Sequence, residues 1–136
     1  MGIIEGSDPA RAHETLVVMA HWDHLGVTED GAVYNGAFDN AGGTALALEV
    51  ARLFVEYGAP ARSILFMFTD GEEGGLDSPK AWLEEPTIDP DDVLLALSAD
   101  PLGRALLPDY GPIVLSGTEQ SPSLLERIRG LEDRSD

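Results

Sequence analysis

The sequence contains no cysteine. Disulfide bonds, thiolate catalysis and zinc held by thiolates are therefore excluded. No apolar run approaches the roughly 18–20 residues that a membrane span requires, so we expect no membrane partner. No basic segment followed by an apolar stretch and a cleavage site is present, so we expect no signal peptide in this chain.

Basic residues are also few, with 8 Lys and Arg against 25 Asp and Glu and a formal net charge of −17. This field repels a phosphate backbone, so nucleic acid is not an expected partner. A solubilising acidic surface explains most of the excess, and carboxylates neutralised by metal could explain part of it. The 136 residues, 43% hydrophobic and 24% charged, suffice for one domain with its own core.

Apolar runs of strand length alternate with loops and helical patterns along the chain. We predict strands at 2–6, 16–20, 63–68, 93–97 and 113–115. We predict helices at 44–57, 79–84 and 123–129. This order predicts a single domain over residues 1–136, a three-layer α/β/α fold with a central, largely parallel sheet.

A histidine and an acidic residue come directly after the run at 16–20. In such sheets the functional loops leave the carboxyl ends of the strands. The neutral imidazole of His21 could bind zinc there, while the carboxylate of Asp23 holds the other ring nitrogen. Taken alone, this signal is weak, because such a pair is more often a polar surface feature without a metal. The two other histidines, His13 and His24, better fit a surface role, because His13 lies in a polar turn and His24 points into a loop.

Further carboxylates lie before the first long helix and after the third long strand. Asp39 and Asn40 are either a helix cap or the place where a carboxylate bridges two cations. The small residues that follow them would let the backbone approach such cations closely. Asp100 is held extended by Pro101, and it is either a metal ligand or a strand-ending turn residue.

Glu72 and Glu73 form an adjacent pair on a glycine-flanked turn directly after the run at 63–68. The two carboxylates would repel one another unless a cation or a shared proton intervened. A division of roles removes the conflict, with one carboxylate binding metal and the other acting as general base. The alternative is a solvated acidic turn.

Together, one histidine and three carboxylates form an oxygen-rich set suited to zinc, with manganese or cobalt as alternatives. The sequence contains no Gly-x-Ser-x-Gly elbow, phosphate-binding loop, dinucleotide-binding glycine motif or EF-hand spacing that would indicate another chemistry. The pattern therefore favours a metal-dependent enzyme.

Three segments resemble the zinc aminopeptidase family in order and spacing. They are AHWDHLG at 20–26, YNGAFDNAGG at 34–43 and GEEGGL at 71–76. The family includes bacterial leucyl aminopeptidases and, more distantly, glutamate carboxypeptidase and glutaminyl cyclase. The resemblance covers most of residues 3–104. It implies two zinc ions, removal of N-terminal residues from a peptide substrate, and a secreted or periplasmic location.

The resemblance also assigns roles around the first metal. His21 would bind this metal, and Asp23 would orient His21. Asp39 would bridge both metals, with a cis peptide bond to Asn40. Asp100 would complete the first site.

For the second metal the resemblance is incomplete. Glu72 would be the general base and Glu73 a ligand, but the family takes a further histidine from far downstream, and this chain has none after His24. We therefore expect one tightly bound zinc, a weak or empty second site, little or no peptidase activity, and self-association through an uncovered sheet edge. The alternative to an aminopeptidase is a non-catalytic or truncated peptidase-like domain that binds at most one metal.

Overall fold

The computed structural model describes residues 1–102, 115–118 and 121–132. The chain forms two compact units, Met1–Gly103 and Arg104–Asp136. Of the strand predicted at 113–115, the first two residues lie outside the described residues, and Leu115 is not in a strand. The single domain over 1–136 stays a prediction.

Strands and helices alternate in the order that the sequence predicts. The strands are β1 (Gly2–Ile4), β2 (Thr15–His21), β3 (Ser63–Thr69) and β4 (Val93–Ser98). The helices are α1 (Ala41–Tyr57), α2 (Asp77–Glu84), a short 3-10 helix (Pro90–Asp92) and, in the second unit, α3 (Pro122–Glu132). Among the described residues, none of the helices has the length and hydrophobicity needed to cross a membrane.

The four strands form one mixed sheet in the order β1-β3-β2-β4. β2 runs parallel to both β3 and β4, and β1 pairs antiparallel with β3. The prediction of an α/β fold with a mixed sheet is therefore confirmed. Because β2, β3 and β4 share one direction, their carboxyl ends meet at the same edge of the sheet. At that edge His21 lies opposite Thr69, and Met19 lies opposite Ser98.

Both faces of the sheet carry buried apolar side chains, because successive residues of a strand point to opposite faces. One cluster consists of Val17, Leu65 and Met67, with Trp82 of α2 packed against it. The other consists of Ile64, Phe66 and Ala47, the last of these from α1. Burial on both faces explains why the runs in β2 and β3 are continuous rather than alternating.

Helix α1 begins at Ala41, three residues before the predicted start, because Asn40 caps it. The Asn40 side-chain oxygen accepts a hydrogen bond of 2.9 Å from the Gly43 amide, and its Nδ2 donates one of 2.8 Å to the Ala99 carbonyl. Asn40 is only 1% exposed. A Cβ at Gly43 would lie 2.2 Å from the Ala99 oxygen, so only glycine fits here. The contacts of Asn40 and Gly43 with Ala99 fix the start of α1 against the segment that follows β4.

Candidate metal centre

The predicted site residues come from four places around the carboxyl edge of the sheet. His21 is the last residue of β2, and Asp100 follows the end of β4 at Ser98. The Glu72–Glu73 pair follows β3, and Asp39 precedes α1. Two groups of potential metal ligands form here, and Asp39 belongs to both.

The first group consists of His21, Asp39 and Asp100, whose ligand atoms lie within 4.8 Å of one another. The Nε2 atom of His21 is 3.0 Å from Asp39 Oδ1 and 3.2 Å from Asp100 Oδ1. The side chain of His21 is 3% exposed. Its backbone carbonyl accepts a 2.9 Å hydrogen bond from the Thr44 hydroxyl of α1. The first group is therefore held by the sheet and by α1.

Asp23 lies on the other side of the His21 ring. The ring Nδ1 is 3.1 Å from the Asp23 carbonyl oxygen and 3.5 Å from its Oδ1. That Oδ1 is buried and has no hydrogen-bond partner within the described residues. A histidine that binds metal through Nε2 carries its proton on Nδ1, which would then donate to Asp23. The position of Asp23 fits the orienting role that the resemblance implies.

The environment of His21 favours a positive charge. Burial of the imidazole acts to lower the pKa of His21. Three groups act in the other direction: Asp100 through a hydrogen bond and its negative charge, the Asp23 carbonyl through a hydrogen bond, and Glu72 through its negative charge. They outweigh burial, so the pKa of His21 is raised. A divalent cation would satisfy the same carboxylates more fully than one proton does.

The second group consists of His24, Asp39 and Glu73, again with ligand atoms within 4.8 Å of one another. The Nδ1 atom of His24 is 2.7 Å from Glu73 Oε1. The sequence favoured a surface role for His24 in the loop, and in the structure its ring lies against the Glu73 carboxylate. The signal available in the sequence was a histidine three residues after His21, beside a set of carboxylates that lacked a nitrogen ligand.

Glu72 lies outside both groups, although it neighbours Glu73. It is half-buried, and its negative charge is close enough to raise the pKa of His21. The tight turn that separates the two carboxylates begins at Gly71, whose φ is +70°. A Cβ at Gly71 would lie 2.9 Å from the Cβ of Asp77. Of the two carboxylates on this turn, Glu73 belongs to the second group and Glu72 to neither group.

The sequence left open whether Asp39 and Asn40 form a helix cap or supply a carboxylate that bridges two cations. Asn40 is the helix cap, and Asp39 faces both ligand groups. The peptide bond between them is cis, as the resemblance implies.

The donor set of the first group fits a zinc ion. In a tetrahedral site with Zn–N and Zn–O bonds of about 2.0–2.2 Å, ligand atoms lie about 3.3–3.5 Å apart. The separations of 3.0 and 3.2 Å around His21 Nε2 need to widen only slightly to reach this spacing. Both groups combine one imidazole with two carboxylates, which suits zinc and also manganese or cobalt.

Comparisons with known proteins place this arrangement in a family. The model of Peptidase family M28 matches residues 1–132. The chain is 32% identical over 101 residues to BOS complex subunit NCLN of Gallus gallus, and 31% identical over 102 residues to BOS complex subunit ncln of Danio rerio. These matches cover 66% and 67% of this chain but only 18% of each relative. On the strength of the family match, the chain belongs to peptidase family M28.

Proposed function

We propose that this chain carries the metal site of an M28 peptidase that hydrolyses N-terminal peptide bonds, with Glu72 as general base. The observation that supports this proposal best is that Asp39 belongs to both ligand groups. The carboxylate of Glu72 follows the same strand as Glu73 and belongs to neither group. Such an arrangement suits two cations held close together and a separate group that moves protons.

The residues of the two groups would hold the metals, with zinc preferred. His21, Asp39 and Asp100 would bind the first, and Asp39 and Glu73 would bind the second. When bound, such metals lower the pKa of water and polarise the carbonyl group of a peptide substrate. Asp23 would keep the His21 ring in the orientation that leaves Nε2 free for the metal.

Glu72 would accept the proton of the attacking water on its carboxylate and pass it to the leaving amine. Within the described residues its carboxylate forms no ion pair, whereas Glu73 contacts His24. Glu72 is half-buried. A carboxylate that is not engaged in an ion pair suits a group that both accepts and donates a proton.

The finer features of the fold and the cell location are also proposals. α1 packs on one face of the sheet, and Trp82 of α2 packs on the other, which supports a three-layer architecture. A single domain over 1–136 and a secreted or periplasmic location rest on the family resemblance.

A second candidate function comes from the relatives. Both are named as subunits of a BOS complex, and neither name states a peptidase activity. The alternative of a non-catalytic, peptidase-like domain with protein partners is favoured by these names, while the site geometry favours catalysis. The last strand of the described sheet, β4, exposes Leu94 by 53% and Leu97 by 45%, which would suit a protein contact, including one with a second copy of this chain.

Two variants of the adjacent pair test the proposal. Zinc-loaded wild type, Glu72→Gln and Glu73→Gln are compared for zinc content and for hydrolysis of an aminoacyl chromogenic substrate. Glu72→Gln should lower the rate by about 10²–10⁴-fold and leave zinc content unchanged, because it removes only the base. Glu73→Gln should lower zinc content as well. Wild type that binds zinc and hydrolyses nothing would favour the complex-subunit candidate, and equal zinc loss in both variants would refute the assigned roles.

A further inference from the structure

We propose that His24 is the nitrogen ligand of the second metal and forms that site together with Asp39 and Glu73. This inference rests on the proposed metal-dependent function and adds a ligand to it. Among the described residues, the other members of this ligand group are two carboxylates. Catalytic zinc usually has three protein ligands and an open position, and His24 brings the second site to that number.

The geometry of His24 brings its ring among the carboxylates of the second group. Its Nδ1 lies 2.7 Å from Glu73 Oε1, and its side chain is 20% exposed against 24% for Glu73. Asp39 places a second carboxylate in the same cluster. Two carboxylates this close repel one another unless a positive charge lies between them. A divalent cation among the three side chains would neutralise both carboxylates.

The loop after β2 holds the His24 ring in place from two sides. The ring of Tyr34 meets it edge to face, with the ring centroids 6.1 Å apart. A Cβ at Gly36 would lie 3.1 Å from the Cβ of His24, so the backbone there approaches the histidine closely. The Tyr34 amide donates a 2.9 Å hydrogen bond to the Gly26 carbonyl, and Val27 bridges to Val33. These contacts fold the loop back so that Tyr34 lies against His24. They orient the ring of His24, as a metal site requires.

Metal content of histidine variants tests this proposal. Wild type, His24→Ala, His21→Ala and the control His13→Ala are saturated with Zn²⁺, dialysed and analysed for zinc per chain. His13 lies in neither ligand group. We expect about two zinc ions in wild type and His13→Ala, and about one in His24→Ala. Circular dichroism of each variant shows whether it is folded.

A measurement on the unmutated chain covers the case in which His24→Ala fails to fold. With ¹⁵N-labelled histidine, Zn²⁺ is titrated into wild type while the ring nitrogen resonances are followed by NMR. The first equivalent should shift one His21 nitrogen, and the second equivalent should shift one His24 nitrogen.

The outcomes separate this inference from the function on which it rests. One zinc in both wild type and His24→Ala, with His24 nitrogens unmoved, would overturn the inference and leave the first site in place. Zinc bound by neither wild type nor control would refute the proposed function itself. Two zinc ions in wild type and one in His24→Ala would support both.

Discussion

The two ligand groups share Asp39 but differ in how the protein holds their other members. In the first group His21 ends a central strand, is 3% exposed and is tied to α1 through Thr44. In the second group His24 and Glu73 both lie in loops, and their side chains are 20% and 24% exposed. Ligands on strands are held more precisely than ligands on loops, and preorganised ligands lose less entropy on binding. The first group should therefore bind metal more tightly than the second.

Metal removal should have the largest effect on stability, and it tests directly whether the first group binds metal more tightly than the second. A ligand that binds only the folded state stabilises it by RT ln(1 + [L]/Kd), which is about 2.7 kcal/mol at a hundredfold excess over Kd. For a domain of this size we expect chelation to lower Tm by roughly 10 °C. Thermal melts at graded free Zn²⁺ should show two steps, with the first group filling at the lower concentration.

His21→Ala is the matched variant for this experiment, because it damages only the first group. Its Tm should respond to chelator less than that of wild type. A wild-type Tm that chelator leaves unchanged would show that neither group binds metal in solution. A single step with equal affinities would show that strand and loop placement make no difference here.

Gly43→Ala should have the next largest effect on stability. Gly43 packs against Ala99 and Asn40, and Asn40 directly follows Asp39. The added Cβ would lie 2.2 Å from the Ala99 oxygen and 2.4 Å from Asn40 Oδ1, and neither the backbone nor the capping side chain can move freely. We expect a loss of about 1–3 kcal/mol of stability, measured by urea unfolding of the metal-free protein. Zinc affinity should fall at both sites, because Asp39 belongs to both.

Gly74→Ala provides the control for this prediction. Gly74 has ordinary contacts of 3.8 Å and longer and does not have a positive φ, so the substitution should be almost neutral. Equal losses in Gly43→Ala and Gly74→Ala would show that the close contact with Ala99 is not the cause.

The difference between the two groups also explains what could be predicted from the sequence. The runs that form β2, β3 and β4 are continuous and apolar, and in β2 and β3 this reflects burial on both sheet faces. The strands, and His21 at the end of one, therefore follow from local patterns. Asp100 follows by the same logic. Each of these residues can be placed from its position next to a strand, without knowledge of distant contacts.

Features that depend on contacts between distant segments could not be derived in this way. His24 meets Glu73 only because two loops, 49 residues apart in sequence, fold towards one edge. The start of α1 was predicted at Thr44 from the helical spacing of apolar residues, and the contact of Gly43 with Ala99 is not visible locally. The antiparallel direction of β1 is likewise set by its pairing with β3 and not by its own residues.

Asp23→Asn should have a smaller effect that is confined to the first group. The amide keeps the shape of the carboxylate but removes the charge that would favour a proton on His21 Nδ1. Loss of such a supporting partner typically costs 10–100-fold in metal affinity. We expect about tenfold weaker binding at the first site and no change at the second, measured by zinc titration against a competing chelator. An equal loss at both sites would show that Asp23 supports the whole loop and not only His21.

Tyr34→Ala should have the smallest effect and should weaken zinc binding at the second group alone. The Tyr34 ring contacts His24 edge to face, and aromatic pairs of this kind contribute about 0.5–1.5 kcal/mol. Its removal should let the His24 ring rotate away from Glu73, so zinc should bind the second site about 2–10-fold more weakly, as this energy range implies. Tyr34→Phe keeps the ring and should bind as wild type does, which separates the ring contact from the hydroxyl group. Because the ring of Tyr34 contacts His24, which belongs to the second group and not to the first, the affinity of the first site should stay the same in both variants. Weaker binding at the first site in Tyr34→Ala would mean that the loop positions Asp39 as well, and that the two groups do not differ in the way that their burial implies.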